Sequence, residues 1–130
     1  MDPNTVIHLD THVIIWLYAR KGKGLSRRAI DAIESGADLF ISPMAFLELD
    51  LLKEIGRITV GADIICGYLK IKIGLRLCDH PFAAVIRKAS TYHWTRDPFD
   101  RIITAQAVAT GNALITKDTN IRDHYPRAVW

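Results

Sequence analysis

A chain of 130 residues, 49% hydrophobic and 24% charged, has the makeup of one folded domain that buries roughly two-thirds of its unfolded surface without help from disulfides or metal. Those proportions exclude a disordered tail, a collagen-like repeat and a disulfide scaffold. The net charge of +3 and pI near 9.0 permit a nucleic-acid partner without demanding one.

No run approaches the ~18 consecutive apolar residues of a membrane span. The Met1–Asn4 segment is acidic and polar, unlike a signal peptide. Cys66 and Cys78 form neither a CxxC nor a Cys/His cluster. They read as free thiols of a reducing cytosol, so a cytoplasmic location and a single domain over 1–130 are expected.

In chain order, Val6–Leu9 is a short buried strand ending at Asp10. Residues 11–18 are apolar without alternation and predict a helix. Lys21, Gly22, Lys23 and Gly24 mark a loop. A helix follows from Leu25 to Gly36, with Ser26 as N-cap. Residues 39–41 form a second strand, and Ser42-Pro43 opens a helix that stops at Gly56. Residues 62–71 predict another helix, 75–77 a short strand, and 81–90 a helix begun by Pro81. Asp97-Pro98-Phe99-Asp100 opens a helix that ends at Gly111. Residues 113–116 form a further strand and 128–130 a last one. Apolar strands alternating with helices predict an α/β fold, a mostly parallel central sheet with helices on both faces. Ligands of such sheets sit beyond the carboxyl ends of the strands.

Four acids fall toward that edge. Asp10 ends the first strand, Glu48 lies early in the helix after the second, Asp100 opens the helix before residues 113–116, and Asp118 follows that strand. Clustered carboxylates repel and raise one another's pKa. A cation relieves this, and an all-oxygen donor set suits Mg²⁺ or Mn²⁺. The chemistry implied is metal-dependent phosphodiester hydrolysis. Each acid also has a plainer reading. Asp10 and Asp118 suit helix caps, Asp97 is mainly a cap, and Asp100 is cap-box or ligand. Glu48 reads as solvated or buried, Asp50 is ambiguous, and Glu54 reads as solvated. Arg20, Lys21, Lys23, Arg27 and Arg28 cluster within nine residues and suit either a phosphate-binding patch or a solvated face. Lys117 and Arg101 adjoin acids and could touch phosphate. Trp16, Trp94 and Trp130 suit a core or interface better than base stacking. No P-loop, GxGxxG, Ser-His-Asp or Cys-His arrangement is present.

Together, Leu9-Asp10-Thr11-His12, Ser42-Pro43…Glu48-Leu49, the block from Arg96 to Ala107 (RDPFDRIITAQA) and Leu114-Ile115-Thr116-Lys117-Asp118 resemble a PIN domain of the VapC toxin type, in order and separation. Gly56-Arg57-Ile58 resembles one subgroup. The resemblance implies a PIN fold and an Mg²⁺- or Mn²⁺-dependent endoribonuclease, with Asp10, Glu48, Asp100 and Asp118 at the metal positions. Asp97, Thr11 and Thr116 fall at supporting positions. Thr95-Arg96 departs from the common His-Arg, with His93 two residues earlier. The resemblance also implies a cognate antitoxin, an RNA substrate, and a homodimer or toxin–antitoxin hetero-oligomer. Residues 13–18 and 25–33 are the expected docking surfaces. The alternatives are a PIN-fold protein that binds RNA or a partner without cutting, and a phosphatase-like or DNA-directed enzyme using the same acids.

Overall fold

The run Val6–Leu9 becomes the central strand β1 of a five-stranded, all-parallel sheet in a computed structural model that describes residues 5–130. The Met1–Asn4 segment lies outside the described residues. After β1 come α1 (Thr11–Ala19), α2 (Arg27–Ile33), β2 (Asp38–Ile41), α3 (Pro43–Glu54) and α4 (Ala62–Ile73). Then follow β3 (Arg76–Leu77), α5 (Phe82–Ala89), α6 (Pro98–Ala109), β4 (Ala113–Ile115), α7 (Thr119–His124) and β5 (Ala128–Val129). The strand order is β3-β2-β1-β4-β5. Ile7 pairs with Leu39 on one side and with Ala113 on the other.

The chain therefore winds outward from β1 in both directions, and the crevice beside the end of β1 is the switch point where such sheets bind ligands. Successive strand side chains point to opposite faces, and Ile7, His8 and Leu9 are all at most 2% exposed. Both faces of the sheet are thus covered, as a parallel sheet requires. The main core joins Ile7, Leu9, Ile14, Ile41, Leu49, Ile65, Ile103, Leu114 and Ile121. A smaller cluster of Val85, Ala89 and Ala105 seals α5 against α6.

The expected caps form. The Ser26 hydroxyl accepts from the Ala29 amide at 3.1 Å and the Ser42 hydroxyl from the Met44 amide at 3.1 Å. Asp50 is structural: its Oδ1 accepts the Ala62 amide at 2.8 Å and so caps α4, whose own cap position is Gly61. A Cβ at Gly61 would stand 2.8 Å from that oxygen. Glu54 is exposed.

The segments expected to dock a partner divide. Val13, Ile14, Ala29 and Ala32 are buried in the core, whereas Ile15, Trp16 and Tyr18 are only partly buried and line a groove. The exposed large apolar side chains belong instead to α3, α4 and α5, led by Ile71, Ile55 and Ile64.

Candidate active site

Three helices begin on acids, and this local rule builds much of the site. Asp10 is the N-cap of α1, Asp97 of α6 and Asp118 of α7. Each uses Oδ1 to accept helix amides: Asp10 from Thr11 at 2.7 Å, Asp97 from Phe99 at 2.8 Å and Asp100 at 3.2 Å, and Asp118 from Ile121 at 2.9 Å. Capping and site-building are therefore not alternatives here. The cap fixes one oxygen of each acid, and the same side chains line the cleft.

The cleft occupies about 570 Å³ beyond the carboxyl ends of β1 and β4. Asp10, Glu48, Asp97, Asp100 and Asp118 line it, with His12, Trp16, Lys117 and Thr119. Asp10 is held hardest. Its amide donates to the Ile115 carbonyl at 3.0 Å, tying the ends of β1 and β4 together. Its Oδ2 accepts the buried Thr116 hydroxyl at 2.6 Å, and that hydroxyl oxygen accepts the Asp118 amide at 3.1 Å. From the other flank, the Thr11 hydroxyl donates to Glu48 Oε1 at 2.5 Å, joining α1 to α3. Thr11 and Thr116 thus brace the acids.

Burial pushes the Asp10 carboxyl above the usual range, against the pull of the Thr116 and Thr11 hydrogen bonds. Burial also raises Glu48, again opposed by Thr11. Asp100 is pushed up to about 7, first by burial and then by Asp97, Asp118, Asp10 and Glu48. Among the described residues no protein donor reaches its carboxylate, and none of the cleft acids takes part in an ion pair. Lys117 and His12 line the same cleft, but among the described residues neither forms an ion pair with an acid.

The acids surround an open cleft rather than a closed cage. Among the described residues, no three His, Cys, Asp or Glu side chains enclose a metal-sized point. Unneutralised carboxylates repel and stand apart. An open ring of oxygens suits a hydrated Mg²⁺ or Mn²⁺, which keeps waters between itself and several carboxylates. Among the described residues no cysteine lines the cleft and His12 is the one imidazole in its lining, a donor set dominated by oxygen that suits Mg²⁺ or Mn²⁺ better than a zinc cage.

The PIN domain family model matches residues 7–125. The chain belongs to the PIN domain family. Ribonuclease VapC22 of Mycobacterium tuberculosis is 32% identical over 127 residues, spanning 96% of this chain and 97% of that protein. Among solved structures, VapBC2 from Rickettsia felis bound to a DNA fragment from their promoter matches with a TM-score of 0.67 at 14% identity, over 96% of each chain. VapBC-1 from nontypeable Haemophilus influenzae matches with a TM-score of 0.66 at 14% identity, over 97% of this chain and 96% of that one. At such identities these two structures speak for the PIN fold alone.

The basic residues of this PIN domain divide. Lys117 lines the cleft, with Nζ 5.6 Å from the Trp16 ring centre and 5.9 Å from that of Trp130. Arg20 lies 5.7 Å from the Trp16 ring centre and lines a neighbouring groove with Ile15 and Tyr18. Lys21 lines a separate groove with Glu34 and Lys72, and Arg27 pairs with Asp31 at 3.2 Å. Lys23 and Arg28 are exposed and line no part of the cleft. All five residues from Arg20 to Arg28 in this cluster are exposed, spread over a helix end, a loop and a helix start.

Arg101 corrects an expectation. It adjoins Asp100, but one residue turns a side chain by about 100° round a helix. Its guanidinium donates to the Tyr92 carbonyl, and it lines a pocket with Ile86 and Ile102. It is a brace for the Tyr92 loop. His93 is exposed and absent from the cleft lining, while Thr95 accepts the Asp97 amide at 3.1 Å. Two cleft residues carried no assigned role in the sequence, His12 and Thr119. Both lie within two residues of a cleft acid, which was the signal available for them.

Proposed function

We propose that this PIN domain is a metal-dependent endoribonuclease, the toxin of a toxin–antitoxin pair. The observation that carries this reading is the cleft: carboxylates from four separate chain segments line it at the switch point of the sheet, none of them in an ion pair among the described residues, with Asp100 raised to about 7. The 32% identity to a ribonuclease over nearly the whole chain supports the same chemistry.

Asp10, Glu48 and Asp100 would hold an Mg²⁺ or Mn²⁺ directly or through water, and Asp118 would hold a second ion or tighten the site. Such an ion acidifies its bound water and neutralises charge building on the scissile phosphate. The chain's own part is to orient. Thr116 fixes Asp10 Oδ2, Thr11 fixes Glu48, and the three capping acids are held in the cleft wall by the helices they begin. Lys117 supplies positive charge beside the acids, and with Arg20 in the neighbouring groove it would steer the RNA backbone. Water attacks the phosphorus directly, with no enzyme-bound covalent intermediate.

An antitoxin is the partner this reading requires. The structural neighbours VapBC2 and VapBC-1 support it. So does a groove of about 280 Å³ in which Ile15, Trp16, Tyr18, Ile58 and Val60 stand beside Arg20 and Arg57. The exposed apolar side chains of α3 and α4 suit a second copy of the chain or a hetero-oligomer.

The test is cleavage by the purified chain, freed of partner protein, against RNA, single-stranded DNA and a phosphate monoester. RNA cleavage with Mg²⁺ or Mn²⁺, lost with a chelator and in Asp10→Ala and Asp100→Ala, supports the reading. Equal cleavage by both variants refutes the site.

A further inference from the structure

Beside the acids the cleft has a second wall of different chemistry. Trp16 and Trp130 are separated by most of the sequence, yet their ring centres lie 5.8 Å apart with planes at 59°. The parallel pairing of β4 with β5 brings the end of the chain back over the start of α1: the Thr116 amide donates to the Val129 carbonyl at 3.1 Å, next to Trp130. Both indoles are only partly buried: Trp16 lines the acid cleft, and Trp130 packs on the core and abuts Trp16 from outside that lining. The His12 ring meets Trp16 edge-on at 6.4 Å. Lys117 sits over both indoles and also lines the acid cleft. One lysine therefore spans the aromatic wall and the carboxylates, one residue from Asp118 and one from Thr116.

We propose that Trp16, Trp130 and Lys117 form a subsite that stacks one unpaired nucleobase of the RNA while its neighbouring phosphate lies over the acids. This rests on the ribonuclease reading and specifies its substrate as single-stranded at that nucleotide. Every base has a π face, so a tilted indole pair takes bases with little regard for sequence. A base held in a duplex is already stacked, so the shelf selects a loop, bulge or end. Lys117 is attracted to the indole faces while the site is empty and to phosphate when RNA is bound, within the reach of one flexible side chain. Continuity with the carboxylate cleft favours nucleic acid as the occupant, because the shelf and the acids share Trp16 and Lys117 in their walls.

The experiment couples the wall to the base. Wild type cleaves an unstructured oligoribonucleotide with Mn²⁺, the cut is mapped, and each flanking nucleotide is then made abasic in turn. One abasic position should lower kcat/KM by roughly 5- to 100-fold, the range for one lost base–aromatic stack. Trp16→Leu should lower it on the intact oligomer by a similar factor and be insensitive to that abasic position. Trp16→Phe should recover most of the loss, which separates a stacking role from a folding defect. Lys117→Gln should reduce the salt slope of binding by about one ion. Cleavage by wild type with independent, multiplicative effects of the two changes overturns the subsite alone. No cleavage of any RNA by wild type overturns the ribonuclease reading and the subsite with it.

Discussion

His8 and Asp10 are two residues apart at the centre of the sheet, both nearly inaccessible to solvent, and the chain treats them in opposite ways. Burial lowers His8 to about 4, so it is neutral near pH 7. Its surroundings are neutral as well. Nε2 lies 3.2 Å from the Thr110 hydroxyl and 3.4 Å from the Asn112 amide, the ring stacks 6.0 Å from Phe40, and Nδ1 has no partner. Asp10 lies beside Asp118 and His12 and is braced by the Thr116 hydroxyl and the Thr11 amide, which favour its charged form. Burial penalises charge in both places. Where the company is neutral, the group gives up its charge and serves the fold. Where acids are gathered and fixed in place, burial and like charge both oppose ionisation, a cost that a proton or an added cation relieves, and that is the mark of a site.

The contrast is broken most severely by removing an acid. Asp10→Ala and Asp100→Ala should each lower RNA cleavage about 10²- to 10⁴-fold, the scale of groups that act on the reacting atoms. Both should remain folded by circular dichroism, because removing one of several repelling charges does not remove the core.

The next effect belongs to His8. Its folded pKa lies below its unfolded value of 6.5, so the unfolded chain takes up the proton first. Its contribution is full above pH 6.5 and is lost as pH falls towards 4, by about 3 kcal/mol. Urea titrations from pH 7 to 4 should show this loss. His8→Phe should flatten it and leave cleavage at pH 7.5 unchanged.

Thr116→Val keeps shape and removes the hydroxyl that braces Asp10. Cleavage or metal affinity should fall about 10- to 100-fold, as for other supports of metal ligands. The smallest effect separates capping from charge at Asp97. Asp97→Asn retains a good cap, and its stability in thermal melts should match wild type. Asp97→Ala should cost about 1 kcal/mol.

Much of this was legible in the sequence, because strands that are wholly apolar and caps that obey local rules need no tertiary information. The four acids and the parallel order were legible for that reason. What hid was decided by direction and by distant pairing. Arg101 turns away because of its place on a helical turn, and the basic run is spread over three local structures. Residues 13–14 gave the same apolar signal whether they faced the core or a partner. Trp16 and Trp130 meet only because the two-residue strand β5 lies beside β4, a pairing too short to leave a pattern.

The central claim is that the cleft acids retain a repulsion that a divalent ion relieves. Titration calorimetry of Mn²⁺ into the partner-free chain tests it at pH 5.5 and pH 8. Asp100 is raised from its ordinary 3.8 to about 7, so its protonated form stabilises the ion-free fold at low pH and that stabilisation fades as pH rises through about 7. The account predicts uptake that strengthens from pH 5.5 to 8, releases fewer protons at the higher pH, and disappears in Asp10→Ala. Absence of uptake at pH 8, or equal uptake by Asp10→Ala, would contradict it.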